Sequence, residues 1–360
     1  MYAKNDLPGA GRAGCSALSW TTLDGRHLWG RNFDLDRLPL DSAVLYLPRG
    51  MAYRACEAGR GQGRRRERQQ VSTYSAAGTG SLSAPTAPIL YEGINEKGLM
   101  GGQLNYRVFS HFGRTVRPGT LPLQPPFAVF HLLAQCASVE EVVRTLQEEV
   151  TLVGVPLFGS VPTLHWSFSD RTGESIVIEP DRDGVHIYRR TVGVMTNSPG
   201  YLWHRTNLLN YTGVQDADRE GPEIGGDQPA SCFSGTGAQG LPGDWSSPSR
   251  FIRLAFLKKY CLKGEDEEQG VARMFRLFQS AAFPLGMVRT ESFSPGGTAW
   301  DHTLYTSVMC AESLRFYWTT YENQRIRWVD LRDLSSGGEA RQFPLGRSPD
   351  FLRLDYGSKQ

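Results

Sequence analysis

The 360-residue chain has no closely spaced cysteine pair. Cys15, Cys56, Cys136, Cys232, Cys261 and Cys310 are scattered at wide, irregular intervals, with no cluster of histidines beside them. That pattern argues against a disulfide framework and against a zinc site, so neither metal nor cofactor is expected. Net charge is scarce as well: at +2 it gives no electrostatic reason to invoke nucleic acid or a membrane surface as partner. No apolar run approaches the roughly 20 residues that span a bilayer. The first fourteen residues, MYAKNDLPGAGRAG, lack the apolar core of a secretory signal. A soluble, cytoplasmic protein is therefore expected.

Familiar catalytic signatures are missing too. There is no Gly-x-Ser-x-Gly elbow, and the seven histidines share no motif. His165 and His186 fall on expected strands, where a core or surface histidine is the plainer reading. No phosphate-cradling Gly-x-x-x-x-Gly-Lys run occurs, and GTGAQG at 235–240 has neither a strand before it nor a helix after it. Internal repeats and low-complexity linkers are likewise absent, so the length, which by itself suggests two domains, is read as one layered domain.

What is present is a sequence of strands, helices, strands, helices and strands. Two alternating runs flank Asp24-Gly25, a hairpin-turn signal. Strands are expected at 43–47, 71–77 and 89–91, with a Gly/Ser/Pro-rich loop over 78–88, and a turn at Gly98 precedes an apolar run ending at Asn105. The basic stretch between Arg54 and Gln70 reads as a solvated loop joining two strands. FAVFHLLAQC repeats its apolar residues at helical spacing, and Ser138-x-x-Glu141 makes a capping box for the next helix. A meander over 163–169, 174–179 and 185–190 follows. A long Gly/Pro/Asn/Asp-rich segment, 197–243, holds one short helix near 203–209, and a segment of that length is usually functional or an interface. Helices over 248–260 and 271–281 lead to closing strands at 303–309, 313–320 and 326–331. The fold class expected is α+β.

The chemistry centres on Cys15. A hairpin turning at Asp24-Gly25 returns Arg31, Asn32 and Asp34 towards the cysteine. A neighbouring cation lowers a thiol pKa, and an acid can position an amine. The plainer alternative is a small buried hydrophobe. A cysteine hydrolase without a histidine needs another base, and one is available if the chain is cut between Gly14 and Cys15. The freed α-amine would have an ordinary pKa of about 7.7 to 8.0, suited to general-base work near neutrality.

Seven blocks in unbroken order resemble a known family: Cys15 itself, GRNFD (30–34), YEGINEKGLMGGQLNY (91–106), TLHWSFSDRTGESIVIE (163–179), GVMTNSP (193–199), GLPGDWSSPSRFIRLAF (240–256) and YTSVMC through TYEN (305–323). They are similar to the choloylglycine hydrolase family, which holds the bile salt hydrolases and penicillin V acylases and belongs to the N-terminal nucleophile hydrolases. The resemblance implies an αββα four-layer sandwich and hydrolysis of an amide bond without metal or cofactor. It implies Cys15 as nucleophile, Arg31 as the arginine beside the thiol, and Asp34 as the acid holding the α-amine. Asn105 and Asn197 then build the oxyanion hole, and Arg250 is the remaining charged site residue. Residues 1–14 are expected to be a propeptide or an over-extended start that is removed, with 15–360 as one domain.

Within the family, Asn105 is similar to the bile salt hydrolase pattern, and 197–243 looks like the segment through which homotetramers assemble. The substrate expected is a glycine- or taurine-conjugated bile salt, with penicillin V or another N-acyl amide as the alternative. From another class, a non-catalytic binding protein is expected if the N-terminus stays intact. Phe33, Leu35, Leu38, Val155, Leu157 and Phe158 are expected to line an apolar pocket.

Overall fold

The computed structural model describes residues 14–39, 41–57, 69–291, 297–335 and 338–354. Two antiparallel sheets carry the fold. The expected hairpin forms as β1 (Gly14–Thr21) and β2 (His27–Leu35), turning through Asp24-Gly25 with Gly25 at φ 84°. Around it the first sheet runs in the order Val194–Met195, β1, β2, Thr298–Cys310, Arg315–Thr320 and Arg327–Asp330, with Val288–Glu291 beside the outer half of the long strand.

The second sheet runs Gly184–Tyr188, Ser175–Asp181, Leu164–Ser169, Met100–Asn105, Glu92–Asn95, Ala76–Ser81, Ala43–Leu47 and Arg341–Phe343, with Ile89–Leu90 against Ala76–Ser81. Helices α1 (Ala128–Gln135) and α2 (Val139–Arg144) follow this part of the chain. Ser138 caps α2 as expected, accepting from the Glu141 amide at 3.3 Å, and Glu141 accepts from the Ala137 amide at 2.7 Å. Helix α3 (Tyr201–Asn207) is short, whereas α4 (Ser247–Tyr260) and α5 (Glu267–Gln279) are long.

The layering follows from which side chains share a core. Trp29, Met309, Val44, Ile94, Met100 and Leu104 cluster with Phe251 and Leu254 of α4 and Met274 and Phe278 of α5. Leu45, Leu90, Trp166, Phe168 and Ile178 cluster instead with Phe130 and Leu133 of α1 and Val142 of α2. Val44 and Leu45 are neighbours in one strand yet enter different cores, because successive strand residues face opposite ways. The order is α4/α5, first sheet, second sheet, α1/α2, an αββα sandwich. All five residues of Ala43–Leu47 are buried, as expected of a strand covered on both faces.

Three expectations shift. The strand expected over 71–77 lies at Ala76–Ser81, running from the end of that stretch into the one read as a Gly-rich loop. A Cβ on Gly78 would lie 2.0 Å from the Glu92 carbonyl oxygen, and one on Gly80 would lie 2.2 Å from that of Ile89. These glycines therefore allow close approach of neighbouring strands rather than a turn. Helix α5 begins at Glu267, earlier than the expected 271, because Asp266 caps it by accepting from the Gln269 amide at 2.9 Å. The alternating run before Asp24-Gly25, expected as a strand with Ala17, Trp20 and Leu23 as its apolar residues, ends at Thr21, so Leu23 lies beyond β1 and is exposed. Of the basic loop, 58–68 lie outside the described residues, while the ends on either side pair as Ala52–Tyr53 and Gln70–Val71.

Candidate active site

Hairpin register decides what Cys15 meets. Cys15 pairs with Phe33, Ala17 with Arg31, and Gly14 with Asp34. Side chains directly opposite in an antiparallel pair share a face, so Cys15, Arg31 and Phe33 point into the space between the sheets. Asn32 is on the other face, where its amide donates to the Phe278 carbonyl of α5 at 2.9 Å. By alternation Asp34 shares that face.

The Arg31 guanidinium donates from Nη2 to the Cys15 sulfur at 2.7 Å and from Nη1 to the Gln103 carbonyl at 2.8 Å. A fully buried Glu92 holds the same Nη1 at 3.3 Å, and Tyr305 donates its hydroxyl to Glu92 at 2.8 Å. The cation is thus fixed by an anion from the second sheet.

Asn197 links the next groups. Its Oδ1 accepts from the Cys15 amide at 2.8 Å and from Arg250 Nη2 at 2.7 Å, while its Nδ2 donates to the Asn105 carbonyl at 2.9 Å. Asn105 Oδ1 in turn accepts from Thr163 at 2.8 Å. Arg250, buried on α4, also donates to the Cys15 carbonyl and to Ser16 Oγ. His204 contacts the Asn197 carbonyl at 2.9 Å, and burial pushes it down to about 4, so it is neutral near pH 7. Among the described residues no histidine hydrogen-bonds the thiol.

Asp34 accepts from Thr303 at 2.5 Å through Oδ1, and its Oδ2 is buried without a partner. Burial pushes its carboxyl up to about 6, against the opposing pull of Arg250. Burial likewise raises the Cys15 thiol above its ordinary range, with Arg31 the largest opposing influence. The sulfur is closed in: Cys15 is 3% exposed, and a Cβ on Gly14 would lie 2.4 Å from the Phe283 ring.

The structure therefore brings Cys15, Arg31, Asp34, Asn105, Asn197 and Arg250 into one connected group. Phe33 joins it, with the Arg31 guanidinium 4.6 Å from its ring centroid and Tyr305 stacked at 5.0 Å. The other expected pocket residues are placed differently. Leu35 is half-buried opposite His302, and Leu38 packs against the first core. Leu157 is buried in the second core, Phe158 is exposed at φ 51°, and the Val155 carbonyl accepts from Gln124 at 2.9 Å. Glu92, Tyr305, Thr303, Phe283 and His204 escaped the sequence reading. Only Glu92 carried a signal, an acid inside an otherwise apolar strand block.

A model of linear amide C–N hydrolases, choloylglycine hydrolase family, matches residues 15–337, beginning at the cysteine. The chain belongs to this family. It is 31% identical over 337 residues to a bile salt hydrolase/transferase of Clostridium perfringens, covering 93% of this chain and 98% of that one. A cysteine-to-alanine variant of the conjugated bile acid hydrolase from Clostridium perfringens superposes with a TM-score of 0.83 at 29% identity, covering 95% of this chain and 100% of that one. The penicillin V acylase of Agrobacterium tumefaciens, 22% identical, shares the fold at a TM-score of 0.70 over 92% of each chain. The architecture is that of an N-terminal nucleophile hydrolase, and the family assigns amide C–N hydrolysis to the chain.

Proposed function

We propose that the chain hydrolyses the amide bond of glycine- or taurine-conjugated bile salts, with Cys15 as an N-terminal nucleophile. The observation that carries the mechanism is Arg31 Nη2 at 2.7 Å from Cys15 Sγ while Asn197 holds the Cys15 backbone nitrogen at 2.8 Å. Nucleophile, cation and side-chain amide meet at one residue. The substrate class is drawn from the relatives named for bile salts, which resemble this chain over nearly its whole length.

The Gly14–Cys15 peptide is broken first, which frees an α-amine at the position the Asn197 amide oxygen now holds. Asp34, buried with one unpartnered oxygen, is the acid placed to hold that ammonium. The amine takes the thiol proton, and the thiolate attacks the substrate carbonyl. Its oxygen becomes an oxyanion that the Asn197 side-chain amide, beside Asn105, stabilises; one such donor is worth about 2.7 to 4 kcal/mol. The amine then gives the proton to the departing nitrogen of glycine or taurine. Water adds to the resulting thioester and releases the steroid acid, which restores the thiol.

Phe33, ringed by Tyr91 and Tyr305, offers the apolar surface nearest the sulfur. Leu35, two positions along β2 and on the same face by alternation, extends that surface. Residues 15–360 act as one domain in the cytoplasm. Segment 197–243 mediates assembly into a homotetramer, a reading supported by the exposure of Leu202, Trp203, Leu209, Ile224 and Phe233 along it.

The test is turnover of glycocholate, taurocholate and penicillin V on one preparation, with Cys15→Ala and Cys15→Ser as controls. Bile salt cleavage that both substitutions abolish supports the reading. Full glycocholate hydrolysis by Cys15→Ala would sink the mechanism, and brisk penicillin V cleavage without bile salt turnover would overturn the substrate.

A further inference from the structure

A cavity of about 540 Å³ lies at the far end of β1, between that strand and α4. Its nearest β1 residue, Ser19, is four positions from Cys15, about 13 Å at the rise of a strand. Trp20, Val192, Leu208 and Phe256 give it apolar walls, and Lys258, Lys259 and Lys263 bring three cations to the same lining. His27, also in the lining, is already held by Glu312 at 2.8 Å.

The three lysines are distinctive in what they lack. Among the described residues none of them forms an ion pair with an acid. Lys258 is half-buried, and its contact is a donation to Ser19 Oγ at 3.4 Å. Lys259 lies over the Tyr260 ring at 4.7 Å. Burial and the Lys263 charge push the Lys258 amine down to about 8. Trp20, another lining residue and only 4% exposed, has a buried indole N–H without a partner. Burying uncompensated donors and charge is unfavourable unless something accepts from them.

We propose that this cavity is a binding site for an amphipathic anion, an apolar body carrying one carboxylate or sulfonate, separate from the thiol site. The head accepts from Lys258 and is drawn in by Lys259 and Lys263, while the body lies against Trp20, Val192, Leu208 and Phe256. A volume of this size suits a small-molecule ligand. Fatty acids and free steroid acids share the chemistry. The site does not depend on the reaction at Cys15.

Calorimetric titration of the full chain with dodecanoate and with cholate, both below micelle formation, tests it. Dodecyltrimethylammonium is the charge control. Lys258→Met removes the partly buried amine. Lys259→Glu with Lys263→Glu alters only exposed side chains, so the test survives if Lys258→Met fails to fold. The expected result is saturable binding of at least one anion, weakened about tenfold or more in the lysine variants, as for loss of a charge-assisted hydrogen bond. The tighter of the two anions identifies the source. Equal affinity in wild type and the exposed double variant, or equal binding of the cationic control, would overturn the proposal.

Discussion

Asp34 stands directly opposite Gly14 in the hairpin, with one carboxylate oxygen taken by Thr303 and the other buried without a partner. An acid placed so beside an intact peptide is costly to ionise. In the proposed mechanism it becomes useful when the next nitrogen along, that of Cys15, turns into an ammonium. In the uncut chain the carboxyl titrates at about 6, above its ordinary range.

That shift predicts the pH dependence of the uncut chain. Because the folded pKa is raised, the folded state retains a proton that the unfolded state has already lost. Asp34 therefore lowers stability as pH rises from about 4 to about 6, by about 3 kcal/mol in all. Denaturant unfolding of Cys15→Ala at acid and neutral pH should show this decline, and adding Asp34→Asn should remove it. Equal pH slopes for the two proteins would contradict the assignment.

Gly14 predicts a steric effect on cleavage. A Cβ there meets the far end of the Phe283 ring at 2.4 Å, so Gly14→Val requires that ring to move. Processing should slow sharply, measured as the fraction of chain beginning at Cys15 over time, and Phe283→Ala should restore much of it. Unchanged processing of Gly14→Val would show that this contact does not govern the bond.

The Arg31–Glu92 pair predicts a coupled loss of stability. Both groups are buried, and removing one member of such a pair leaves the other charge uncompensated, at about 3 to 5 kcal/mol. Arg31→Met should reach that range in urea unfolding, and combining it with Glu92→Gln should recover most of the loss. Additive destabilisation would mean that the two are not coupled.

Asn197 is predicted to act on the rate. Asn197→Ala removes the amide that touches Cys15, Asn105 and Arg250. The expected fall in kcat is about 100- to 1,000-fold, as for loss of one oxyanion donor, with KM much less affected. A change in KM alone would assign this side chain to binding.

The exposed apolar side chains of 197–243 predict assembly. Leu209→Glu with Ile224→Glu places charge on two of the most exposed of them. Light scattering should then report a smaller particle than wild type, and the same mass for both would remove this segment from the interface.

Much of this was legible in local chemistry. A two-residue turn at Asp24-Gly25 would face Cys15 with Asp34, whereas the longer loop over 22–26 faces it with Phe33, so the hairpin but not its register followed from local residue chemistry. The caps at Ser138 and the alternation of the meander were legible for the same reason. Long-range partners were not. That Gly78 and Gly80 sit in a strand depends on Glu92 and Ile89 crossing close by, and nothing within the stretch itself says so. Thr303 and Phe283 meet Asp34 and Gly14 from more than 200 residues away, and as single residues they carry no motif. Leu157 and Phe158 read alike as apolar pocket residues, yet a positive φ at Phe158 turns one outward while its neighbour is buried.

The central claim is that the Gly14–Cys15 peptide is broken to make the nucleophile and its base. Intact-mass spectrometry of the purified full chain, taken on the same sample whose glycocholate turnover is measured, tests it most directly. The account predicts a mass beginning at Cys15 in active protein and an uncut chain in inactive Cys15→Ala. Full turnover by protein that still carries residues 1–14 would contradict it.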